Sequence, residues 1–145
     1  MTGKNIKGDE MSLVWREQLS VGDAQFDADH QALIGIINEV EGALKAQSVP
    51  LLKQTLKKLH DYAHEHFQRE EHIAETLGYA NLRSLKTAHE NLHTELHRIR
   101  KEVEALDGVW SEGVAEYYTN MLRHWLLDHV MQDDMKMKPI FTHKP

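Results

Sequence analysis

Histidine and glutamate are concentrated between residues 60 and 72, where the sequence reads HDYAHEHFQREEH. Clustered imidazoles and carboxylates can bind a metal ion, transfer protons, or lie on the solvated face of a helix. The chain has 11 histidines and no cysteine, which excludes thiol catalysis, disulfides and cysteine zinc sites. Any metal site must therefore use nitrogen and oxygen ligands.

The hydrophobic residues around these polar groups recur at alternating steps of three and four, the period of helices that bury one face. On the second of four such segments, His66 and Glu70 fall within the apolar stripe. At about 100° per residue, His60, His64 and His72 point away from it and are expected at the surface. The predicted stripe consists of Leu52, Leu56, Leu59, Ala63, His66, Glu70, Ile73 and Leu77.

Each of the other segments also places a histidine on its inward face. These are His30 in the first, His89 with His93 beside it in the third, and His129 in the fourth. A single inward histidine is usually a core residue bound to a carbonyl group. Five of them with a glutamate would leave many buried polar atoms to satisfy, at about 1–3 kcal/mol per unpaired group. A shared metal centre would satisfy them together.

The breaks between segments predict how these side chains meet. Helix stops and starts fall near 46–50, 77–81 and 106–113, which favours an all-α, up-down-up-down antiparallel four-helix bundle with an N-terminal arm. If the second turn is centred between Tyr79 and Ala80, Glu70 lies level with His89, and His66 with His93. The alternative pair of His93 and His97 fails, because His97 would lie level with Tyr62. The start of the first helix and the end of the fourth reach this same end of the bundle.

The length of 145 residues suggests one domain. We expect a flexible tail at 1–11, the bundle at 12–137 and a C-terminal tail at 138–145. The net charge of −6 comes without a basic stripe, which argues against nucleic acid as a partner. No apolar run approaches membrane-spanning length. The polar start without a signal peptide makes the cytoplasm the expected location.

Four segments together resemble the hemerythrins, in particular the single-domain bacterial ones: FDADH (26–30), HFQRE (66–70), HENLH (89–93) and WLLDHVMQDD (125–134). The stretch VWREQLSVGDAQFDADHQALIGIIN (14–38) is also similar to the start of those proteins. The resemblance implies a non-haem, oxo- or hydroxo-bridged pair of iron ions that binds dioxygen reversibly. It implies that one iron has three histidine ligands and the other two, with dioxygen at the open position of the second. The implied ligands are His89, His93 and His129 for one iron, His30 and His66 for the other, and Glu70 and Asp134 as bridges.

Helical phase and family spacing disagree on the last ligand. Asp133 lies about 40° from His129 around a regular helix and Asp134 about 140°, whereas the family spacing selects Asp134. We expect Asp134, with the helix distorted or ended there, and a helix stop at Pro139. Phe67, Trp125 and Leu126 are expected to surround the oxygen pocket.

The expected function is oxygen storage, transport, delivery or sensing, without enzymatic activity. A protein partner that uses oxygen or supplies electrons would fit this function. The alternative is a di-iron enzyme that consumes oxygen, peroxide or nitric oxide. Ferritin-like oxidases need two Glu-x-x-His motifs, and only Glu90 to His93 fits that spacing here. Ligand type alone leaves zinc, manganese and copper open, although seven ligands are too many for one tetrahedral zinc.

Overall fold

The structure is a computed structural model that describes residues 13–107 and 109–142, without the side chain of His129. The tail expected at 1–11 lies outside this range. A 3-10 turn (Glu17–Leu19) precedes the main helices, and no strand occurs in the described residues. The helices are α1 (Ala24–Ala46), α2 (Val49–Thr76), α3 (Leu82–Glu104), α4 (Glu112–His124), α5 (Met131–Met135) and α6 (Lys138–Thr142), with a π-helical segment (Trp125–Val130) between α4 and α5.

Side-chain caps fix where three of the long helices begin. Asp23 accepts a hydrogen bond from the backbone N–H of Phe26, Ser48 from Leu51 and Ser111 from Val114. Such caps satisfy N–H groups that a helix start leaves without partners. The loop residues described between these helices, at 47–48, 77–81, 105–107 and 109–111, coincide with the breaks that the sequence predicts.

Contacts between helices show that the bundle is antiparallel. Along α1, Asp29 meets His66 and Glu39 meets Lys58, so α2 runs in the opposite direction. The start of α4 lies at the end of α1, where the indole N–H of Trp110 donates to the carbonyl of Leu44. The predicted all-α bundle is confirmed.

The predicted stripes form the core. Every inward position of α1 is buried, and so are the inward positions of α2 from Leu52 to Glu70. The last two positions depart from this pattern: Ile73 is half-buried, and Leu77, with 47% of its surface exposed, lies beyond the end of α2 at Thr76. The N-terminal arm packs against the same core through Leu13, Trp15 and Leu19.

The last helices close the metal-ligand end of the bundle. The chain leaves α5 at Met135 and starts α6 at Lys138, with Pro139 in its first turn. Phe141 of α6 is buried, and its ring centroid lies 5.1 Å from that of Phe26. The segment expected as a C-terminal tail thus contributes a short packed helix. Among the described helices, none combines the length and the apolar character that crossing a membrane requires.

Candidate metal centre

Two imidazoles and two carboxylates converge inside the bundle. Nε2 of His30 lies 2.6 Å from Oδ2 of Asp134, and Nε2 of His66 lies 2.7 Å from Oε2 of Glu70. The cross distances are 3.7 Å from His30 to Glu70 and 3.5 Å from His66 to Asp134. Ligands about 2.1 Å from a common ion lie roughly 3–4 Å apart. The two cross distances fall in this range, and the two shorter contacts would open by a few tenths of an ångström around an ion.

Several atoms of this cluster have no hydrogen-bond partner within the described structure. They are Nδ1 of His30, Nε2 of His66, Oε2 of Glu70 and Oδ1 of Asp134. Nε2 of His66 and Oε2 of Glu70 are only 2.7 Å apart but lack the angles of a hydrogen bond. Buried polar atoms without partners are costly. Nε2 of His66 and Oε2 of Glu70 belong to the four converging atoms, and a cation among these would satisfy both, so the donor set fits a metal.

The second oxygen of Glu70 faces a different imidazole. Oε1 lies 2.8 Å from Nε2 of His89 on α3, whereas Oε2 faces His66 and His30. Nδ1 of His89 donates to Glu71, whose Oε2 is 2.7 Å away. That bond turns Nε2 of His89 toward Glu70. Glu70 thus lies between His66 and His30 on one side and His89 on the other, the placement that a ligand bridging two ions would need.

Asp29 fixes the orientation of His66. Its Oδ2 accepts from Nδ1 of His66 at 2.9 Å, which leaves Nε2 of a neutral imidazole free to bind a metal. Arg69 donates two further bonds to Asp29, Tyr62 one at 2.9 Å and Gln25 one at 3.1 Å. Burial opposes ionisation, but the bonds from His66, Arg69 and Tyr62 hold the pKa of Asp29 well below its usual range.

The π-helical segment explains why Asp134 and not Asp133 points inward. The N–H of Met131 bonds to the carbonyl of Leu126, five residues earlier, where a regular α-helix would bond four residues back. The wider turn delays the helical phase, so that Asp134 is fully buried in the cluster. Asp133 is half-buried and lies 3.7 Å from Nζ of Lys136.

Of the remaining expected ligands, His93 stands apart from the buried cluster. His93 is half-buried and faces outward, with Nε2 at 3.2 Å from Nδ1 of the exposed His64. Burial, then the neighbouring His60 and His64, lower its pKa. His129 lies on the π-helical segment, and its side chain is outside the described structure. Both assignments therefore stay predictions.

Burial and neighbouring carboxylates shift the pKa values of the groups in this cluster. Burial lowers the pKa of His30, but its hydrogen bond to Asp134 and the nearby carboxylate of Glu70 outweigh this and raise the pKa to about 9. The pKa of His66 is also raised, against burial, by the charge of Glu70. Burial and the charge of Glu70 raise the pKa of Asp134 to about 7. Such a cluster attracts positive charge, whether protons or a metal.

Three large apolar side chains lie around this end of the core: Phe67, Trp125 and Leu126 are all buried. The Phe67 ring stacks on His89 with centroids 4.2 Å apart, and it also packs against Trp125. The indole N–H of Trp125 donates to the carbonyl of Leu92 at 2.9 Å. This packing holds His89 and limits access of water from that side.

The sequence reasoning missed Asp29 and Glu71, although each contacts the outer nitrogen of a buried imidazole. Asp29 could have been found, since it precedes His30 and lies three residues after Phe26 on the inward side of α1. Glu71 gives no such signal, because it lies beside the apolar stripe of α2 and reaches His89 across the helix interface.

An all-helical bundle with a buried histidine and carboxylate cluster defines a helical metal-binding protein. A family model described as the hemerythrin HHE cation binding domain matches residues 21–141. Bacteriohemerythrin of Pseudomonas aeruginosa is 28% identical over 122 residues, which cover 84% of this chain and 76% of that protein. Myohemerythrin of Theromyzon tessulatum is 28% identical over 124 residues, covering 86% and 89%. The chain belongs to the hemerythrin family, a family of non-haem iron proteins that bind oxygen.

Proposed function

We propose that this protein binds dioxygen reversibly at a pair of non-haem irons, as an oxygen carrier, store or sensor and not as an enzyme. When bound, the irons would supply chemistry in which electrons are transferred reversibly to dioxygen. The chain would hold them through His30, His66, His89, His93, His129, Glu70 and Asp134.

The observation that carries the proposal is the position of Glu70. Its two oxygens face imidazoles on opposite sides, with His66 and His30 on one and His89 on the other. A carboxylate serving one ion would not need a separate imidazole on its second oxygen. Asp134 lies beside it with Oδ1 unpartnered within the described structure, and this oxygen can serve the second ion.

The apolar surroundings suit a carrier. Trp125 and Leu126 are fully buried, so protons and water have little access from their side. Bound oxygen that is neither protonated nor displaced by water can dissociate again as dioxygen. We propose that Leu126 is part of the wall that protects it.

Cycles of air and argon on the ferrous protein test this function. We expect an oxygenated absorption spectrum that forms in air, is lost under argon and returns in the next cycle. Leu126→Asn should shorten its lifetime several-fold without changing the iron content, because an amide admits water to the site. Leu127→Asn, a change at the half-buried neighbour, is the matched control.

Two results would contradict the carrier. Wild-type protein could pass directly to the ferric state with no reversible spectrum. It could also turn over oxygen, peroxide or nitric oxide continuously when given electrons, which would favour the enzyme.

A further inference from the structure

Three histidines meet on the surface beside the buried cluster. His60 and His64 lie one turn apart on α2, and His93 reaches them from α3. The ring centroid of His93 lies 5.5 Å from that of His60 and 5.2 Å from that of His64. Nε2 of His93 and Nδ1 of His64 are 3.2 Å apart. We call these residues the outer histidine cluster.

The arrangement has the chemistry of a metal site. Two histidines four residues apart present their imidazoles on one helix face, a spacing that recurs in metal-binding helices. A third imidazole from a neighbouring helix would complete three nitrogen ligands. Nδ1 of His64 and Nε2 of His93 already lie 3.2 Å apart, and turning the ring of His60 would bring its nitrogen to them, with remaining positions open to water. Imidazole binds divalent iron, zinc, copper and nickel. His64 is exposed and His60 half-buried, so an ion in solution can reach them.

The buried cluster needs a route for its metal, because His30, His66 and Glu70 have no exposed surface. His93 is placed to provide one. It lies one turn from His89 on α3, and both rings contact Phe67, at centroid distances of 5.4 Å for His93 and 4.2 Å for His89. Rotation of the His93 side chain would carry its nitrogen from the outer cluster toward the ligands around Glu70.

We propose that the outer histidine cluster binds divalent transition metals and is the loading site for the ferrous iron of the buried centre. His60 and His64 capture the ion, and His93 passes it inward. The transfer role rests on the proposed function, in which His93 becomes a ligand of one iron.

The test follows the uptake of ferrous iron by the metal-free protein without oxygen. At timed intervals a fast chelator removes accessible iron, and the iron that stays with the protein is measured. His60→Ala/His64→Ala should slow uptake several-fold while reaching the same final iron content as wild type. His72→Ala/His97→Ala, which removes two exposed histidines outside the cluster, is the matched control and should load at the wild-type rate.

Equal uptake rates in the two double variants would overturn the loading site, even if the protein oxygenates normally. A lower final iron content in His60→Ala/His64→Ala would also overturn it, because the pair would then support the final centre. If wild type takes up iron as expected but shows no reversible oxygenation, the proposed oxygen function fails and the loading site stands.

Discussion

Asp29 shows how a residue that touches no metal ligand atom directly can control a site. It is 2% exposed, and its oxygens accept bonds from His66, Arg69, Tyr62 and Gln25. The bond to Nδ1 of His66 leaves the opposite nitrogen of a neutral ring unprotonated and aimed inward.

Replacement of Asp29 by Asn should therefore weaken iron binding without creating a cavity in the core. The amide has nearly the same volume but has only one acceptor oxygen for these donors, and it lacks the charge that favours the His66 tautomer. We expect iron affinity to fall by about 10–100-fold, as measured by competition with a chelator. Asp61→Asn, at an exposed ion pair with Lys57, should leave the affinity unchanged. Equal affinities in the two variants would exclude a positioning role for Asp29.

Periodicity could predict which side chains enter the core but not how each polar group is oriented there. His66 and Glu70 were identifiable because they occupy positions where apolar residues are expected. The inward position of Asp29 could be read from its spacing on α1, but its bond to His66 on α2 could not. Glu71 acts through one hydrogen bond across a helix interface, which no spacing along one helix encodes. The outward rotation of His93 depends on side-chain torsions and on contacts with His60 and His64, which no sequence pattern indicates.

At the scale of the helices, the four long elements and their breaks follow from the sequence. Apolar stripes, capping residues and short loops all favour the same antiparallel arrangement. The π-helical segment does not follow from these rules. A regular helix through Trp125–Val130 would have turned Asp133 inward, and only the wider turn brings Asp134 to the cluster.

The short helix α6 gives a prediction about the end of the bundle. Phe141 packs on Phe26, whose ring in turn lies 6.4 Å from that of His30 and 6.2 Å from that of His66. Phe141→Ala should lower the free energy of unfolding by about 3 kcal/mol and speed the release of iron to a chelator. Ile140→Ala, at a half-buried neighbour, should have the smaller effect on both. If Phe141→Ala matched this control, residues 138–142 would be a dispensable tail.

At the scale of the whole molecule, the ionisable groups of the cluster couple folding stability and metal binding to pH. The pKa of His30 rises from 6.5 to about 9 on folding, so its contribution to stability is full below pH 6.5 and is lost as the pH rises toward 9. The pKa of Asp134, raised to about 7, also makes the folded state less stable as the pH rises, but over a lower pH range. The lowered pKa of Glu70 has the opposite effect, because its contribution to stability is lost as the pH falls, and this occurs only in the acid range.

The metal-free protein should therefore become less stable between pH 6.5 and 9, the two pKa values of His30. Iron binding should strengthen over the same interval, because the metal displaces protons from imidazoles. Denaturant midpoints of the metal-free and iron-loaded protein across this range measure both trends. A metal-free midpoint that rises with pH would show that the cluster does not hold protons as described.

The number of irons per chain tests the central claim most directly. Metal analysis of the purified, iron-loaded protein should give two irons per chain for wild type and for Asp133→Ala. Asp134→Ala should lose most of both, because a bridging carboxylate serves the two ions together. One iron per chain in wild type, or equal iron content in the two variants, would contradict a di-iron centre bridged by Asp134.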